Sequence, residues 1–210
     1  MQYLMRRDAR LAVLIGQVGV VDVCLRRQYF PSLVRAVVGQ QLSVHVAERI
    51  YHRLEANVTL TPAALRAASD QTLRDSGLSA AKMVYIRELA ESVALGDLVL
   101  ERLTKLPDEQ VIEQLTAIKG IGMWTAAMFL IFSLGRLDVM ATADAGLRRA
   151  IHWLYASDTE YRGQAPDWAT MSDRWRPYRT VASLYLWETI NQDLVARPRE
   201  VVLSKLNRTH

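Results

Sequence analysis

Apolar positions recur at a helical period through nearly the whole chain. Leu4, Leu11, Leu14 and Ile15 share one face of a segment over residues 3–18. Pro31 sits where a helix opens, since its ring pre-sets φ and its missing N–H costs nothing there. Leu33, Val34, Val37 and Val38 form that helix's apolar face. Gly39-Gln40-Gln41-Leu42-Ser43 interrupts it, and the pattern resumes through Val46, Ile50 and Leu54. Thr61-Pro62 reads as a cap followed by proline. Asp70 reads as a further cap, and Ser76–Ser79 as a turn. Residues 80–95 predict a helix ended by Gly96, and Pro107-Asp108 starts another over 109–118. Residues 124–134 are almost wholly apolar, which predicts a buried central helix closed by Gly135-Arg136. Residues 144–155 predict a helix, 156–167 a polar loop, and 177–193 a further apolar helix with Tyr185 and Trp187. The tail from Arg197 carries no firm pattern. With no alternating strand pair, no fixed-period repeat and no low-complexity segment, the expected class is all-α, a globular array of short helices.

The stretch from Leu115 to Arg149 carries the chemistry. Lys119-Gly120-Ile121-Gly122 breaks one helix before a second starts near Met123-Trp124-Thr125. Glycines two apart let the backbone turn sharply, with φ above zero and no Cβ in the way. They also leave N–H groups at the positive end of the next helix, a setting that holds phosphate without reading a base. Asp144 stands just before the amphipathic run Leu147–Leu154, where an Asp is ordinarily an N-cap.

Composition narrows the picture moderately. Of 210 residues 50% are hydrophobic and 23% charged, so a sizeable core is affordable and the chain makes one large or two small domains. The net charge of +4 rests on 26 basic residues, mostly arginine, and favours an anionic partner without identifying one. Cys24 stands alone, which excludes an internal disulfide, a four-cysteine zinc site and a cysteine-ligated iron–sulfur cluster, and suits a reducing cytosol. His45 and His52 are seven apart and His152 and His210 isolated, so no metal-catalysis spacing emerges. No stretch approaches the ~20 apolar residues that span a bilayer, and residues 1–16 read as a surface helix and not as a signal peptide.

Four segments together carry a resemblance. Lys119–Ala126, then Asp138-Val139 with Asp144 before Gly146-Leu147-Arg148-Arg149, the turn Gly39–Ser43, and Trp175-Arg176-Pro177-Tyr178-Arg179 with Leu186-Trp187 occur in the order seen in the helix-hairpin-helix (HhH-GPD) DNA glycosylase superfamily. The chain resembles most its AlkA-like, 3-methyladenine DNA glycosylase II branch, over about Pro31 to Trp187. The resemblance implies two interleaved helical subdomains with a DNA-binding cleft between them: residues 31–136, ending in the helix-hairpin-helix, and residues 1–30 with 137–210, carrying the catalytic Asp. It implies Asp144 as catalytic carboxylate, stabilising positive charge on the sugar or orienting water. Asp138 then has a structural position. Bifunctional members carry a lysine at the place of Trp124, and an indole forms no Schiff base, so a monofunctional hydrolase without lyase activity is expected. Trp124, Met128 and Trp187 would line the base pocket, Met128 standing where an aromatic is common. An indole face attracts a cationic alkylated base by ~0.5–2 kcal/mol. Core packing is the plainer alternative for both tryptophans.

Gln41 aligns with the wedge that fills the gap left by an extruded base, with Leu42 as the neighbour that could replace it. A plain polar turn is the alternative. Lys119, Gly120, Ile121, Gly122 and Thr125 would grip the phosphate beside the lesion, and the resemblance admits a monovalent cation on hairpin carbonyls once DNA is bound. No other cofactor is implied. Arg148, Arg149 and Arg179 could support the site or touch phosphate. The expected partner is double-stranded DNA with a damaged base, and the expected state a monomer, away from membranes, cytoplasmic or, in a eukaryote, nuclear. No counterpart of the extra N-terminal α/β domain of the best-known AlkA-like enzymes is expected in these 210 residues. Two other readings stay open: a non-catalytic hairpin module that binds damaged DNA, and a glycosylase for another damaged or mismatched base.

Overall fold

The computed structural model describes residues 1–155 and 168–203, and every regular element among them is helical. The chain forms two compact units, Cys24–Gly135 and a second one from Met1–Val23 and Arg136 onward. The expected polar loop over 156–167 lies outside the described residues.

The unit of Cys24–Gly135 holds α3 (Tyr29–Gly39), α4 (Val44–Asn57), α5 (Pro62–Ala67), α6 (Asp70–Asp75), α7 (Ala80–Leu95), α8 (Leu100–Leu103), α9 (Asp108–Thr116) and α10 (Met123–Phe132). Its centre is α10, in which every residue from Thr125 to Ile131 is buried. A helix apolar on all sides needs neighbours on all sides, and α3 and α9 supply them through Leu33, Val34, Val37, Val111 and Leu115. The irregular lead into α3 is tied to α10's far end. The Arg26 N–H donates to the Phe132 carbonyl at 2.7 Å, and the Arg26 guanidinium lies 4.9 Å over the Phe132 ring. Burial lowers the Arg26 pKa, and the charge of Arg35 adds to that. Ser32 and Ser133, both buried, share a hydrogen bond of 2.5 Å between α3 and the end of α10. Asp70 does not cap α6: it is the first helical residue, and the Ser69 hydroxyl accepts the Thr72 N–H. The short helix α8 escapes the periodic pattern because four residues are too few to show a period.

The other unit holds α1 (Gln2–Arg7), α2 (Ala9–Val18), α11 (Ala145–Tyr155), α12 (Trp168–Ser172), α13 (Arg179–Asn191) and α14 (Arg199–Leu203). The single helix expected over residues 3–18 is two, because Asp8 adopts extended φ −148°, ψ 103° and caps α2 through the N–H groups of Arg10 and Leu11. Its other oxygen is used in the core. Asp8 is only 5% exposed, and Oδ2 accepts the Tyr155 hydroxyl at 2.6 Å and the Trp175 indole N–H at 2.9 Å. One carboxylate thereby joins α2, α11 and the turn before α13, each of its bonds offsetting the burial of a polar atom. Helix α13 packs on both α11 and α2 and forms the unit's spine.

Candidate active site

Between α9 and α10 the chain makes the hairpin that the paired glycines anticipate. Gly120 has φ +88°, and a Cβ there would fall 2.0 Å from Cγ of Tyr85, so both the backbone sign and the close approach of α7 require glycine. The Ile121 N–H donates to the Ile118 carbonyl at 3.0 Å, and the Ile121 side chain, 4% exposed, plugs the loop into the core. Gly122 then stands at the N-cap of α10 and brings no side-chain acceptor. Lys119 and Gly122 are exposed at the tip. Thr125, by contrast, is buried, and its hydroxyl accepts a bond from the Gln40 side chain at 2.9 Å.

The turn Gly39–Ser43 lies in the same unit. Gln41 has φ +58°, a left-handed conformation that few residues other than glycine adopt, and Gln41 and Leu42 are both exposed. Trp124, half-buried, runs close by: its Cη2 lies 3.6 Å from where a Cβ on Gly39 would be. Met128, one turn on, is 9% exposed.

In the other unit Asp144 precedes α11. Its carbonyl accepts the Arg148 N–H at 3.0 Å and its Oδ1 the Leu147 N–H at 2.6 Å, the geometry of an N-cap. The same Oδ1 accepts the indole N–H of Trp187 at 3.0 Å from α13. Gly146 leaves room for this, since a Cβ there would come 3.2 Å from Oδ1 and 3.3 Å from Ile190. Asp144 Oδ1 therefore accepts N–H donors from two different helices, α11 and α13.

Asp138 is used differently. Arg179 donates from Nε at 2.8 Å and from its backbone, and Arg176 donates from Nη1 at 2.9 Å. Burial pushes the Asp138 pKa up, yet the Arg179 hydrogen bonds and the charges of both arginines outweigh it and hold the carboxyl below its ordinary value. The charge is thus spent on fixing the start of α13, and Arg179 with it. Arg148 and Arg149 are exposed on α11. No group of His, Cys, Asp and Glu among the described residues is arranged to hold a metal, and no helix is long and apolar enough to cross a membrane.

Gln40 stands out in the sequence only as part of the turn, and Lys82 and Tyr85 carry no local signal. Their roles come from contacts 35 to 85 residues away along the chain, which no local pattern carries.

The hairpin, the capped Asp downstream and the all-helical fold define a class. The chain belongs to the HhH-GPD superfamily of base excision DNA repair proteins, whose pattern it matches over residues 34–172. It is 33% identical over 191 residues to DNA-3-methyladenine glycosylase 1 of Schizosaccharomyces pombe, covering 86% of this chain and 80% of that one. The crystal structure of a DNA-3-methyladenine glycosidase from Bacillus halodurans superposes with a TM-score of 0.77 at 38% identity, over 97% of this chain and 94% of the other. The S. pombe 3-methyladenine DNA glycosylase Mag1, solved in complex with abasic DNA, superposes with a TM-score of 0.81 at 32% identity, over 90% and 95%.

Proposed function

We propose that this base excision repair protein is a monofunctional DNA glycosylase that extrudes alkylated purines of the 3-methyladenine and 7-methylguanine type from duplex DNA and hydrolyses their N-glycosidic bond with Asp144. The observation that carries the reading is the double hydrogen bond on Asp144 Oδ1, from the Leu147 N–H and the Trp187 indole. An N-cap needs only the first. The second fixes the carboxylate's rotamer from a different helix, which a catalytic group requires and a cap does not.

Cleavage of the glycosidic bond builds positive charge on the sugar, and an ionised carboxylate held in place stabilises that charge without reorganising. Alkylation of the ring nitrogen already weakens the bond, so no separate acid is needed for the leaving group. Lys119, Gly120, Ile121, Gly122 and Thr125 form the phosphate grip, chiefly through backbone at the mouth of α10. Gln41, held in its left-handed turn, is the wedge, with Leu42 beside it. Trp124 and Met128 on α10, and Trp187 on α13, are assigned to base recognition. Trp124 stands where a lyase has its amine, so the product is an abasic site in an intact strand. The relatives named DNA-3-methyladenine glycosylases and the abasic-DNA complex of Mag1 support duplex DNA with a damaged base as substrate.

Asp144→Asn tests the assignment. The amide keeps the shape and an acceptor oxygen but cannot carry the charge. Single-turnover base release is expected to fall about 1000-fold or more, the scale of a lost electrostatic stabiliser, while affinity for the lesion duplex is retained. Near-wild-type release by this variant would remove Asp144 from the chemistry.

A further inference from the structure

We propose that Gln40 is a positioning residue for base extrusion, a strut that ties the turn carrying Gln41 and Leu42 to the hairpin loop so that wedge and phosphate grip move as one piece. The inference rests on the reading of the hairpin and turn given above. Both protons of the Gln40 amide are used: Nε2 donates to the Gly120 carbonyl at 2.8 Å and to the Thr125 hydroxyl at 2.9 Å. The two acceptors lie 80 and 85 residues downstream, on either side of the Gly122 cap. The backbone end of Gln40 is fastened as well. Lys82 Nζ, from the first turn of α7, donates to the Val38 carbonyl at 2.8 Å and the Gln40 carbonyl at 2.9 Å. An ammonium on the last carbonyls of α3 also suits the negative end of that helix.

The next residue shows why such fastening is needed. Gln41 sits at φ +58°, a strained setting for a side-chain-bearing residue that persists only where surroundings over-determine it. Lys82 and the Gln40 amide are those surroundings. The Gly120–Ile121 peptide is likewise held at both faces, its carbonyl by Gln40 and its N–H by the Ile118 carbonyl. One side chain therefore links the hairpin peptide, which the Ile118 carbonyl also holds, to the turn that carries the wedge. Only glutamine fits the span: asparagine is one methylene short, and glutamate has no N–H and would press a carboxylate against the Gly120 carbonyl.

The test uses a duplex containing one 1,N6-ethenoadenine, whose fluorescence rises on unstacking, followed by stopped flow with the whole 210-residue chain. For Gln40→Leu the rate of the fluorescence rise is expected to fall about tenfold to a hundredfold, as a misplaced group costs, with affinity for undamaged duplex held within about twofold. Lys82→Met, which frees the other end of the strut, should slow the same phase and spare the same affinity, and it serves if Gln40→Leu folds poorly. A Gln40→Leu protein that extrudes at the wild-type rate would overturn the proposal. So would one whose extrusion and undamaged-duplex affinity fall in proportion, since Gln40 would then act only on the integrity of the hairpin. Asp144→Asn separates this from the underlying reading: it should extrude and not hydrolyse. A wild-type protein that neither extrudes nor hydrolyses would sink the functional reading itself.

Discussion

Asp144, Trp187 and Gly120 each do something that a nearer substitute would do badly. At Asp144 the helix cap and the proposed catalytic group share Oδ1, and the Trp187 indole bonds to that atom from 43 residues away. Trp187→Phe keeps an aromatic surface for a base and deletes the N–H. Hydrogen bonds to a charged group contribute about 1.5–3 kcal/mol, so base release under single-turnover conditions should slow about tenfold or more while lesion affinity changes little. If Trp187→Phe lost affinity and kept its rate, the residue would be a stacking surface and not a positioner of Asp144. Gly120→Ala forces a side chain into φ +88° and against Tyr85, and the combined strain should lower stability by about 3 kcal/mol. Chemical denaturation would show this directly, and an unchanged midpoint would mean that Tyr85 yields without cost.

Helix α11 is held at both ends, and only one end was legible in the sequence. The Asp before an amphipathic run announces its start. Its far end depends on Asp8, whose Oδ2 accepts the Tyr155 hydroxyl, and on Arg10, which donates to the Leu154 carbonyl at 3.0 Å. Burial first, and the Asp8 charge second, push the Tyr155 phenol well above its ordinary 10, so it remains a donor at neutral pH. Those partners lie 147 and 144 residues apart, and a buried carboxylate near the N-terminus looks from sequence like an exposed one. Asp8→Ala removes the α2 cap and strands a buried phenol and indole N–H. The expected loss is about 3–5 kcal/mol, read as a shift of the urea midpoint. A loss below about 1 kcal/mol would place Asp8 among ordinary surface caps. The same reasoning explains what patterning did deliver. Residues 124–134 are almost wholly apolar, which marks a central helix, and the paired glycines mark the turn before it. The split of residues 3–18 and the short α8 were hidden, because a cap inside a continuous apolar period and a four-residue helix leave the period unchanged.

The whole molecule joins a basic net charge of +4 to a fold in which both arginine partners of Asp138 are committed internally. Because the folded Asp138 pKa lies below its ordinary 3.8, its contribution is fully present above 3.8 and is lost as pH falls through the lower folded value. Melting temperature should thus hold from neutral pH to about pH 5 and drop on further acidification, and Asp138→Asn should start lower and lose less over that acid range. An identical acid slope in both proteins would mean that other carboxylates set it. The four sequence segments that carry the family resemblance all lie among the described residues, at helix ends and in the short turns between them, where local sequence dictates local backbone, which is why the family was readable. The contacts that fix their geometry, through Gln40, Lys82 and Asp8, were not, since each joins residues distant in sequence.

The most direct measurement incubates the protein with a duplex carrying one 7-methylguanine or 1,N6-ethenoadenine and resolves the strands with and without heating in alkali. Strand scission that needs the alkali step, and that disappears in Asp144→Asn, is the predicted result. Scission without alkali would contradict the monofunctional reading of Trp124, and undiminished scission by Asp144→Asn would contradict the account at its centre.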